Sequence, residues 1–91
     1  MTKFEWDVGK AQLNIRKHRV SFEEAETAIL DEFAKTTMDP DHSLSETRFI
    51  IFGVSARRRL LVVSYTHRGD SIRIISARTA TKREREFYEE H

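Results

Sequence analysis

The 91-residue chain contains no cysteine. That removes disulfides, thiolate chemistry and cysteine-based zinc sites at once. Three glycines and one proline are its only strong breakers, so short turns should join its elements. No apolar run approaches the roughly 18 residues that a membrane span needs. The opening MTKFEWDVGK holds no apolar stretch of the kind a signal peptide carries. Repeats, low-complexity tracts and the H-E-x-x-H, Walker A and G-x-S-x-G motifs are all missing. What is present is enough to fold. Leu, Ile, Val and Phe make up about a quarter of the chain, above the roughly 20% that signals disorder. A chain of this size buries roughly 65% of its unfolded surface. The expectation is one cytoplasmic, disulfide-free domain spanning 1–91.

Net charge is only +1, but its distribution is uneven. Residues 1–46 are net −4 and residues 47–91 net +5. Between Arg48 and Arg83 stand nine basic residues, eight of them Arg, against the single acid Asp70. Arginine's planar fork matches phosphate oxygens bidentately. Such a split suggests a polyanion lying against one side of the domain. The alternative is that these arginines merely solubilise exposed sheet faces.

Asp7 is a fitting N-cap for a helix from Val8 to His18, with Val8, Ala11 and Ile15 on one side and Lys10, Asn14 and Lys17 on another. Ser21 and Glu24 read as a reciprocal capping box opening a second helix to about Leu30. Phe33 to Met38 can form an edge strand, ended by the turn Asp39-Pro40-Asp41. Arg48 to Val54 is apolar at nearly every position, as a strand covered on both faces should be. Leu60 to Thr66 and Ser71 to Arg78 follow, separated by a turn at His67-Arg68-Gly69-Asp70. Alternation turns Arg73 away from Ile72 and Ile74 while Arg78 shares their parity. Arg57, Arg58 and Arg59 lie at the opposite end of the third strand from Arg68, so a polymer could meet both groups and a small ligand could not. Thr81 and Glu84 form another capping box, starting a helix whose inner side is Glu84, Phe87 and Tyr88. The fold class is α+β: two helices, an antiparallel meander of about four strands, and a C-terminal helix.

Without metal motifs, chemistry must come from Arg, Lys, His, Glu and Tyr. His42 beside Asp39 and Asp41 reads as a surface turn rather than a metal site, and His91 is terminal. Cleaving an RNA phosphodiester needs a base for the 2′-hydroxyl, cations for the charge on phosphorus, and an acid for the leaving oxygen. His18 and His67 suit proton transfer near neutrality. Glu84 could act as base, and Arg68, Arg73 and Arg78 as phosphate clamps. Each has a plainer reading: His18 as a helix-end cap, Glu84 as the capping-box acid, Arg78 as its structural partner. Trp6 reads as a core anchor.

Phe4-Glu5-Trp6-Asp7, Lys10, Asn14, Lys17-His18 and Val20-Ser21-Phe22-Glu23-Glu24-Ala25 resemble the opening of the BrnT family. The second half agrees through Arg48, Gly53, Val62-Val63, Tyr65-Thr66, Arg68, Arg73-Ile-Ile-Ser-Ala-Arg78, Ala80, Glu84 and Tyr88. The resemblance implies a RelE-like ribonuclease fold, metal-independent RNA cleavage that arrests translation, and a cognate DNA-binding antitoxin of the BrnA type. Catalytic assignments carry over to the matching positions Arg78, Glu84, Arg68, His18 and Lys10. The basic residues Arg73, His67, Arg48 and Arg58 are the candidates for RNA binding, and no metal or cofactor is expected. Two departures stand out. Arg19 occupies a position where the family usually has Gly, and Thr79 one where a basic residue is common. The rival reading is a binding module, for nucleic acid or for an antitoxin, that never cleaves.

Overall fold

The computed structural model describes residues 2–39, 41 and 46–90; Pro40, His42 and His91 lie outside them. Its elements run β1 (Lys3–Glu5), α1 (Val8–His18), α2 (Phe22–Ile29), β2 (Lys35–Met38), β3 (Arg48–Val54), β4 (Leu60–Arg68), β5 (Ser71–Thr79) and α3 (Lys82–Glu90). The strands form one sheet in the order β1-β5-β4-β3-β2. β2 to β5 make the expected antiparallel meander. The N-terminal segment adds a fifth strand, β1, parallel to β5 at Ser71–Arg73, so the sheet is mixed. Three residues are too few to show a period of two, and only the β5 edge recruits them as a strand.

Local signals account for the helix ends. The Asp7 carboxylate accepts the Lys10 N–H at 2.8 Å and starts α1. The helix stops at Arg19, which takes the left-handed conformation (φ 59°) and returns its N–H to the Ile15 carbonyl. Glycine occupies this conformation most cheaply. Here an arginine tolerates it, its carbonyl accepting a bond from the Arg59 guanidinium. Ser21 caps α2 through the Glu24 N–H, but Glu24 does not complete the box. Its carboxylate turns inward to the Ser55 hydroxyl and the Arg59 guanidinium, buried at 4% side-chain exposure. A buried carboxylate needs a cation and donors, and those partners outweigh one exposed N–H.

Helices α1 and α2 cover one face of the sheet. Val20, Phe22, Ala25 and Ala28 pack there against Ile51, Leu61, Val63, Ile74 and Ala77. Trp6 adds an edge-to-face contact with Phe22 at 5.9 Å, the anchor role expected of it. Gly53 lets α2 sit close: a Cβ there would lie 2.1 Å from the Ala28 carbonyl oxygen.

The inner face of α1 differs from the expected one. Val8 and Ile15 are exposed, whereas Asn14 is buried between half-buried Ala11 and His18. The reason is the edge of β5, which β1 covers only as far as Arg73. Asn14 finishes that edge as a strand would, donating to the Ala77 carbonyl at 2.8 Å and accepting its N–H at 3.1 Å. It also donates to the Val20 carbonyl. A polar edge required a polar side chain.

β3 is covered on both faces only in part. Ile51 and Gly53 lie under α2, while Phe52 on the other face meets Phe87 of α3 at 5.3 Å. Tyr88 fastens α3 by donating to Asp31 at 2.7 Å, and Asp31 also accepts the Val54 N–H. Helix α3 thus crosses one end of the face that α1 and α2 leave open.

Candidate functional site

The open face is decided by one irregularity in β5. The register pairs Tyr65 with Ile74 but Ser64 with Ser76, leaving Ile75 bulged. An inserted residue resets the alternation beyond it. Arg73 opposes Thr66 and Arg78 opposes Val62, two β4 residues of the same parity. Arg73 and Arg78 therefore share the open face, and the parity expected for Arg78 from strict alternation is corrected.

Rows across the sheet give the layout. Arg48, Thr66 and Arg73 form one row, Ile50, Ser64 and Ser76 the next, Phe52, Val62 and Arg78 the third. Arg68, at the end of β4, has the parity of this face and lies 3.6 Å from Glu46. Two predicted residues are elsewhere. His67 pairs with Ile72 on the helix-covered side, its ring 5.5 Å from Phe49 and 5.7 Å from Tyr65. Arg58 occupies the β3–β4 turn with φ 63°, at the far end of β4 from Arg68. Its neighbour Arg59 is committed to Glu24.

Arg78 and Glu84 meet as a two-bond fork, at 2.8 and 2.9 Å. The Thr81–Glu84 box is complete: the Glu84 N–H reaches the Thr81 hydroxyl and the Thr81 N–H reaches Glu84 Oε1. The box therefore holds the carboxylate that holds the arginine. Arg78, followed by these helix-start donors, keeps the Glu84 carboxyl down at about 2. Glu84 is ionised at neutral pH, yet a carboxylate so stabilised is a feeble proton acceptor. Arg73 has a carboxylate too, Glu5 on β1 at 2.9 Å.

His18 ends α1 within electrostatic reach of Arg78. Burial, then Lys17 and Arg78, lower its pKa below the ordinary imidazole value, leaving the ring neutral at pH 7. A neutral imidazole is free to accept a proton, and one within the field of a guanidinium stays neutral to lower pH. From His18 an open cleft of about 490 Å³ runs along α1, lined by Lys10, Leu13 and Lys17 and, on the β5 side, by Ile75 and Ser76. The structure thus gathers Arg78 and Glu84 at one end of the open face, lays Arg48, Arg68 and Arg73 toward the other, and puts His18 and Lys10 on the wall of the cleft between α1 and β5. Sequence reasoning missed Lys17 and Ser76 as parts of this surface. Lys17 had a visible signal, because it shares a helix face with Lys10; Ser76 had none without the bulge.

Among the described residues no three His, Asp or Glu side chains converge as metal ligands would. Among them, too, no helix is long and apolar enough to cross a membrane.

Comparison with known proteins bears on the family and the fold. The model of one family, described as the ribonuclease toxin BrnT of type II toxin–antitoxin systems, matches residues 6–84. Among solved structures, the chain resembles the Brucella abortus ribonuclease toxin BrnT, determined at 1.1 Å. The TM-score is 0.66 at 24% identity, covering 90% of this chain and all of that one. No curated protein matches the chain significantly.

Proposed function

The chain belongs to the BrnT family of ribonuclease toxins of type II toxin–antitoxin systems, and from that premise we propose a metal-independent endoribonuclease whose residues 1–91 act as one RelE-like domain. The observation that carries this reading is the bulge at Ile75, which turns Arg73 and Arg78 to one face, with the His18 imidazole near enough to feel the Arg78 charge. Arg78 takes the scissile phosphate and offsets the charge growing on it. Neutral His18 accepts the 2′-hydroxyl proton, and the 2′-oxygen attacks phosphorus. The imidazolium so formed gives its proton to the departing 5′-oxygen, leaving a 2′,3′-cyclic phosphate. Glu84 aligns Arg78. Arg48, Arg68 and Arg73 carry flanking phosphates. Lys10 lies two helical turns from His18, about 12 Å along the axis, so it serves a neighbouring nucleotide rather than the reacting one.

In this reading the enzyme arrests translation in the cytoplasm by destroying transcripts. A cognate antitoxin of the BrnA type, carrying the DNA-binding part, restrains it. One observation favours a second reading, a binding module without catalysis: Arg73 and Arg78 already hold Glu5 and Glu84, as purely structural ties would. Purified protein incubated with total RNA in EDTA separates the two. Fragments ending in cyclic phosphate, lost in Arg78→Ala, are expected. Intact RNA at saturating protein leaves the binding module.

A further inference from the structure

We propose that the cleft between α1 and β5 is a nucleobase subsite, taking the base next to the phosphate that Arg78 holds; this rests on the reading above and extends it to the substrate's neighbouring nucleotide. The cleft volume of about 490 Å³ falls within the roughly 300–1,000 Å³ of small-molecule sites. Its walls divide by chemistry. Lys10 and Lys17 stand on the α1 side, so charge favours a polyanion. Between them Leu13 presents its side chain at 61% exposure, and the bulge brings Ile75 to the opposite wall. Two facing apolar side chains under a cationic rim fit a flat base with its phosphates outside.

Position ties the cleft to the cluster. Ser76 lines it and stands two residues from Arg78 on the same face, about 6.6 Å along the strand. His18 lines the cleft as well. The polar floor is largely spent, because Asn14 gives its amide to Val20 and Ala77. With Ser76 as the free hydroxyl on that floor, recognition rests on apolar contact and tolerates any base. Sequence-tolerant single-strand binding works in this way, since every base has a π-face.

The test uses the whole protein and a fluorescent, fully 2′-O-methylated RNA that cannot be cleaved, beside an abasic ribose-phosphate chain of equal length. Leu13→Ser should weaken the base-bearing chain about five- to tenfold, the scale of one lost apolar contact, and leave the abasic chain unchanged. Lys17→Gln should weaken both alike and lower the salt slope of log Kd by about 0.7. Ile15→Ser, exposed on the same helix outside the cleft, should change neither and controls for helix stability. Equal effects of Leu13→Ser on both chains, or none on either, overturn the subsite. Intact RNA binding with lost capture of the antitoxin would give the cleft to the protein partner instead. Base-dependent binding through Leu13 in a protein that cuts no RNA would keep the subsite and reject the enzyme.

Discussion

Replacing Glu84 by Gln removes one negative charge while leaving a side-chain oxygen that can still accept the Thr81 N–H and complete the capping box. The carboxyl lies at about 2 in the fold against an ordinary 4.5. At about 1.36 kcal/mol per pH unit, the ceiling on its contribution is roughly 3 kcal/mol. Arg78 is 41% exposed, so water screens the pair and about 1–2 kcal/mol is the realistic loss. The depressed pKa sets the pH window. The stabilisation is complete above pH 4.5 and disappears as pH falls toward 2, because acid protonates the native carboxylate last. Urea unfolding at pH 7 should show the variant's midpoint lowered by roughly 1 M, for a slope of about 1–3 kcal/mol/M, with the gap closing in acid. Cleavage per folded molecule should fall less than about tenfold, since Gln can still align Arg78. Arg78→Ala should cost about 10²–10³. The acid limb of kcat/KM should persist in Glu84→Gln, below the ordinary imidazole pKa, because it belongs to His18. A stable Glu84→Gln protein that loses more than about 10²-fold together with that limb would make Glu84 the base. An unchanged midpoint at pH 7 would show that the ion pair contributes nothing.

Arg59→Ala strands the buried Glu24 carboxylate and should cost about 3–5 kcal/mol by urea unfolding at neutral pH, less in acid where Glu24 can neutralise. Arg19→Gly relieves a left-handed arginine and should raise stability by up to about 1 kcal/mol, read as a higher thermal midpoint; a lower one would mean that the conformation carries no strain. Arg68→Ala with Arg73→Ala should weaken RNA binding and flatten its salt dependence by about 0.7 per lost phosphate contact on single strands. Unchanged affinity and slope would move the RNA site off this face.

The two capping boxes show how far local reading reaches. Thr81 and Glu84 behave as their spacing predicts because Arg78, the carboxylate's other partner, lies six residues away and on the helix's own approach. Ser21 and Glu24 carry the same spacing, but Arg59 and Ser55 arrive from more than thirty residues away and take the carboxylate inward. Likewise α1 has the predicted ends and a different inner face, since its partner is a bare strand edge rather than a second apolar surface.

The sequence by itself determined the three helices, four of the five strands, the basic character of the second half and the residues from which a site could be made. Capping, alternation and charge act over a few positions, so they are legible in order along the chain. Tertiary structure alone decided that Lys3–Glu5 becomes a strand, that Ile75 bulges, and hence that Arg73 and Arg78 face the same way. A bulge shifts register by one residue, and that shift reflects packing across the sheet rather than any property of the residues it displaces.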